Sequence, residues 1–159
     1  MIRTPSSMPI DSPFCDPRLP AAALNFRKSQ NLTSLRLLGA INITAWLYRD
    51  ENGSEKIQIN PNTTIAELLA QFGPAATPDA EVGIHSEAKA AEYFRLHRRY
   101  QVLQIFSERI PCSKMCAPLL RNYFPNIPWY FYYDRRSWFT GKGGVLRTAG
   151  QVLCTVYNL

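Results

Sequence analysis

Two short runs of metal-type donors constrain this chain more than anything else in it. His85-Ser86-Glu87 is one, Pro111-Cys112-Ser113-Lys114-Met115-Cys116 is the other, and His85 stands 27 residues before Cys112. A gap of that length holds one helix and one strand of a crossover unit. The two runs can therefore meet if both open helices at the same end of a sheet. His85, Cys112 and Cys116 then supply one imidazole and two thiolates, three zinc-type ligands that leave a fourth tetrahedral position open for water. Glu87 stays outside the ligand set, as a carboxylate within reach of that water. Pro111 suits a helix start, and a helix N-terminus stabilises a thiolate at Cys112. Cys112 and Cys116, at i and i+4, share one helical face. His97, among Arg95, Arg98 and Arg99, reads as a surface residue.

Periodicity and turn residues supply the elements around these runs. Residues 1–20 hold five prolines and read as an extended arm or linker, leaving residues 21–159 as one domain. Ala21 to Lys28 is a short helix. Ala40 to Tyr48 alternates apolar and polar residues as a strand does, Asn52-Gly53 turns the chain, and Lys56 to Ile59 returns to complete a hairpin. Thr64 to Phe72 has helical spacing and ends at Gly73-Pro74, followed by a loop to Val82. Next come a helix from Ser86 to Arg99, a strand from Tyr100 to Phe106, a helix from Cys112 to Tyr123 and an aromatic strand from Pro128 to Tyr133. Arg135 to Gly150 reads as a loop, and Gln151 to Tyr157 as a fifth strand. The sum is an α/β domain with a central five-stranded mixed sheet and helices packed on its faces.

The formal net charge of +6 favours a polyanionic partner. The loop after the aromatic strand carries Tyr133, Arg135, Arg136 and Trp138, which combine stacking faces with phosphate-binding guanidiniums. The four cysteines do not form a disulfide framework. Cys15 and Cys154 lie near opposite ends and the other two are the clustered donors, so reduced thiols and a cytoplasmic site of action are expected. No apolar run approaches the roughly 20 residues of a membrane span. A thiol-redox role is disfavoured, because three residues separate Cys112 from Cys116 where that chemistry uses C-x-x-C.

The stretch from His85 to Asp134 resembles the cytidine deaminase-like superfamily. The run Phe106-Ser107-Glu108-Arg109-Ile110-Pro111-Cys112, and the helix that ends in Asn122-Tyr123-Phe124-Pro125-Asn126-Ile127, are similar to deaminase domains of bacterial polymorphic toxins. The chain departs from the usual P-C-x-x-C by one extra residue between the cysteines. The resemblance implies a three-layer fold and one Zn2+ per chain on His85, Cys112 and Cys116. It further implies Glu87 as general acid and base, and backbone groups near Ser86 and Ile110 against the base edge. Cytosine is the base it favours.

A base inside a duplex must be flipped out before it can react, and a single strand avoids most of that cost. The expectation is a monomeric zinc deaminase converting cytosine to uracil in single-stranded DNA, and hence usable in base editing. As a toxin domain it would be secreted into a target cell and matched by an immunity protein. Two alternatives stand beside it: an RNA or free-nucleotide deaminase, and a non-catalytic nucleic-acid-binding module stabilised by zinc. The last would need a fourth protein ligand, which only Cys15 or Cys154 could give.

Overall fold

A computed structural model describes residues 7–9, 15–62, 86–109, 116–133 and 149–159. Asp16 opens the first helix, its carboxylate accepting the Arg18 amide at 2.9 Å, and α1 runs over Arg18–Ser29. Leu19, Ala23 and Arg27 recur every fourth residue and form its buried stripe. A short α2, Leu35–Ala40, follows; the sequence reading had no element there.

Strands β2 (Ile43–Arg49) and β3 (Glu55–Pro61) form the expected antiparallel hairpin, with Ile43 opposite Pro61 and Arg49 opposite Glu55. Asp50 closes the turn by accepting the amides of Asn52 and Ser54, each at 2.9 Å, and Gly53 takes the positive φ of 80° that the reversal needs. Helix α3 spans Ser86–Leu96, β4 spans Gln101–Arg109, α4 spans Cys116–Tyr123 and β5 spans Trp129–Tyr133. The expected helix at Thr64 to Phe72, the loop at Pro74 to Val82 and positions 135–148 of the next loop lie outside the described residues.

The sheet corrects the sequence reading. Four expected strands form a mixed sheet in the order β5-β4-β2-β3, with β2 antiparallel to both neighbours and β4 parallel to β5. The expected fifth strand, Gln151 to Tyr157, is helix α5, Ala149–Val156. Val152, Leu153 and Tyr157 are buried while Gln151 and Thr155 are exposed, a helical repeat that the β-branched residues concealed. The place beside β5 is taken by β1, Ser7–Pro9, three residues of the proline-rich arm that pair in parallel with Trp129, Tyr130 and Phe131.

Side-chain alternation along β2 divides the core. Ile43, Ala45 and Leu47 join Phe106 and Tyr130 beneath Leu19 and Ala23 of α1. Trp46 and Tyr48 join Ile105 and Trp129 against Ala90 and Phe94 of α3 and Leu120 of α4. A smaller cluster packs Leu38 of α2 on Val152 and Leu153 of α5. The two helices meet closely: a Cβ on Gly150 would lie 2.3 Å from the Leu35 carbonyl oxygen.

Candidate active site

The connections decide where the site can be. Helix α3 ends at Leu96 and β4 opens at Gln101, so the helix folds back along the strand and brings its first residue, Ser86, toward the carboxyl end of β4. Strands β4 and β5 are parallel, with Ile105 opposite Trp129, so the chain must return along β4 through α4 before β5 can begin. Cys116, the first residue of α4, therefore comes to the same end of the sheet. Helices α3 and α4 therefore both begin at the carboxyl end of β4.

Of the expected site residues, Ser86 and Glu87 are the first two residues of α3, Cys116 opens α4, and Tyr133 closes β5. His85, Ile110, Cys112, Arg135, Arg136 and Trp138 lie outside the described residues. Among the described residues no three His, Cys, Asp or Glu side chains gather as a metal site. His97 is at the other end of α3, where its Nδ1 lies 2.7 Å from the Tyr93 carbonyl oxygen and its ring stacks on Tyr100 at 5.0 Å and 10°. Cys15 packs with the α1 cluster and Cys154 with the α2–α5 cluster, neither on the face that carries α3 and α4. Burial, reinforced by the Asp16 charge, pushes the Cys15 thiol up to about 11, which disfavours a thiolate there.

The sheet beneath the helix starts is polar, a feature the sequence reading missed. Thr44 stands opposite Ser107 on one side and Asn60 on the other, and all three share the face of Trp46. Asn42 donates from Nδ2 to the Ser107 hydroxyl at 3.3 Å, while its backbone amide donates to Asn62 Oδ1 at 2.9 Å. The Asn60 Oδ1 atom is buried and has no hydrogen-bond partner among the described residues. Buried polar atoms are ordinarily satisfied, so an open acceptor at this end of the sheet is a place for a donor from elsewhere. The signal was present in Asn42, Thr44, Asn60 and Asn62, polar residues on the face that Trp46 and Tyr48 make apolar farther along.

The opposite face of the same sheet end is held by a buried ion pair. Glu108, the penultimate residue of β4, accepts from Arg27 Nε at 2.8 Å and from Arg27 Nη2 at 2.7 Å. It also accepts the Ile43 amide at 2.9 Å and the Tyr157 hydroxyl at 2.5 Å. Both charged side chains are wholly inaccessible to solvent.

Residues 39–153 match the model of the Xanthomonas-like deaminase family. The chain belongs to that family. It is a deaminase family of the cytidine deaminase-like type, so the superfamily expected from the sequence is the one found. No curated protein and no solved structure matches the chain. The matched segment of the deaminase begins just before β2 and ends within α5, so it contains both donor runs and the polar floor. Among the described residues of the deaminase, no helix is long and apolar enough to cross a membrane.

Proposed function

We propose that this deaminase is a zinc-dependent hydrolase that converts cytosine to uracil in single-stranded DNA. The observation that carries the reading is that, in a chain matching a deaminase family, α3 and α4 both begin at the polar end of the sheet. His85, Cys112 and Cys116 would hold the metal; one imidazole and two thiolates form a donor set suited to zinc and leave a position free. When bound, zinc supplies hydrolytic chemistry at neutral pH by acidifying water. Glu87 would carry the protons without binding metal. As water adds to C4 of cytosine it would accept one proton and place it on ring N3. It would then pass the remaining hydroxyl proton to the amino group, which leaves as ammonia as uracil forms. Backbone groups at Ser86 and Ile110 hold the base edge. Tyr133 and Trp138 give stacking faces to the neighbouring bases, and Arg135 and Arg136 give charge to the phosphates. The three-layer form of the superfamily agrees with apolar clusters on both faces of the sheet. Action as a toxin domain, delivered into another cell and opposed by an immunity protein, follows from the likeness of the Phe106 to Cys112 run to toxin deaminases.

The test is deamination of one cytosine-containing oligonucleotide, supplied as single strand and as duplex, by wild type and Glu87→Ala, with zinc measured in both. The expected result is uracil in the single strand with wild type, none with the variant, and about one zinc per chain in each. Faster turnover of RNA or free cytidine would move the substrate assignment. Zinc without turnover of any of these would leave a binding module. A preparation without zinc would remove the metal reading.

A further inference from the structure

We infer that Glu108 is a positioning residue for the deaminase site, anchored by Arg27 and Tyr157, two residues outside the segment that matches the family. The inference rests on the reading of Cys112 as a ligand.

Glu108 lies four residues before Cys112. A chain spans at most about 3.3–3.6 Å per residue, so the place where β4 ends limits where Cys112 can be. At that end one carboxylate accepts four hydrogen bonds, from α1, from the first residue of β2, and from the turn after α5. Arg27 is held in turn: it donates to the Leu32 carbonyl at 2.8 Å, to the Leu37 carbonyl at 3.4 Å and to the Ile41 carbonyl. Each bond is directional, and together they come from three separate parts of the chain.

Stability alone is a poor reason for such an arrangement. Replacing a buried ion pair by well-packed apolar side chains is often neutral or favourable, because both charges give up their hydration. A carboxylate fixed on every side sets the position of a strand end, which an apolar cluster does less sharply. On the other face of the same strand end, Ser107 is held by Asn42. The end of β4 is thus bonded on both faces immediately before the chain leaves for the Cys112 run.

The experiment compares wild type, Tyr157→Phe, Glu108→Gln and a control, Ile57→Ala, which removes apolar packing from the far end of the hairpin. Tyr157→Phe deletes one hydroxyl and keeps the ring and the ion pair, so it serves if Glu108→Gln fails to fold. Amide hydrogen exchange in the peptide 109–116 and zinc affinity by chelator competition are read at a temperature where all variants are folded. Tyr157→Phe is expected to speed exchange in that peptide and to weaken zinc by several-fold, up to about tenfold, the lower end for outer partners of a metal site. Ile57→Ala should leave both readouts at wild-type values whatever it does to the melting temperature. Exchange and affinity unchanged in Tyr157→Phe and Glu108→Gln would overturn the inference, as would an equal change in the control. Faster exchange in a protein whose wild type binds no zinc would remove the zinc reading and keep Glu108 as the anchor of the strand end.

Discussion

Phe94 stacks on Trp46 with ring centroids 5.3 Å apart and planes 29° apart, and Phe124 meets the same indole edge-on at 5.0 Å. One fully buried side chain in the middle of β2 is therefore the seat of α3 and of the turn that ends α4. Aromatic pairs at these separations add about 0.5–1.5 kcal/mol beyond the area they bury. Both helices that begin at the candidate site are levered from this residue, roughly two turns from their starts.

Truncating Phe94 tests that relationship. Phe94→Ala should lower unfolding free energy by about 3–5 kcal/mol, as large-to-small changes at buried aromatic positions do. Urea denaturation measures it. Deamination should fall further than the folded fraction accounts for, since α3 loses its seat. Activity tracking the folded fraction alone would show that the start of α3 is positioned by other contacts.

Gly150→Ala tests the contact between α2 and α5. The added methyl would sit 2.3 Å from a backbone oxygen of Leu35, where no rotamer can relieve the clash. A loss of about 1–3 kcal/mol is expected from forced repacking, read as a lower melting temperature. An unchanged melting temperature would mean that α2 can move aside freely.

The hairpin turn gives a pH dependence. The Ser54 amide, then Lys56, then the Asn52 amide hold the Asp50 carboxyl below its ordinary value. A depressed carboxyl contributes stability above its unfolded value, near pH 3.9, and loses it as pH falls through the lower folded value. The difference in melting temperature between wild type and Asp50→Asn should be constant from neutral pH to about pH 4 and should close in stronger acid. A difference that persists at pH 2 would show that hydrogen bonding and not charge carries the effect.

Cys15 gives a second one, of opposite sense. Its thiol is pushed up to about 11 by burial and by Asp16, so alkylation by iodoacetamide should be slow at pH 8 and reach its midpoint near pH 11. The protonated form is the one the fold favours. Its stability contribution is complete below the ordinary thiol value of about 8.5 and is lost as pH rises through about 11. Cys15→Ser should remove that alkaline loss; a midpoint near 8.5 for labelling would place the thiol in open solvent.

The parts legible in the sequence were those with strong local signals. Asn52-Gly53 between alternating strands gave the hairpin, and the H-x-E and Pro-Cys runs on either side of one helix and one strand gave the deaminase reading. Gln151 to Tyr157 misled because Val152, Thr155 and Val156 favour strands locally, while the Leu38 cluster that selects the helix comes from more than a hundred residues away. Arg27 and Glu108 were invisible for a different reason. Each reads as solvated charge by itself, and only the continuation of the Leu19–Ala23 stripe to Arg27, matched to the Phe106–Glu108 face of β4, shows that they are one buried pair. The polar floor required knowing which strands are neighbours, since Thr44, Asn60 and Ser107 are adjacent only across the sheet.

The pairing of β1 with β5 joins Ser7 to Trp129, across 122 residues of sequence. A contact so distant repays its loop-closure entropy only after the intervening sheet exists, whereas the β2–β3 hairpin closes on microsecond timescales. Assembly should therefore proceed outward from the hairpin through β4 and β5, with the proline-rich edge docking last. Until it does, β5 presents a row of unpaired, aromatic-lined backbone groups, and crowded refolding should favour sticking of one chain to another at that edge.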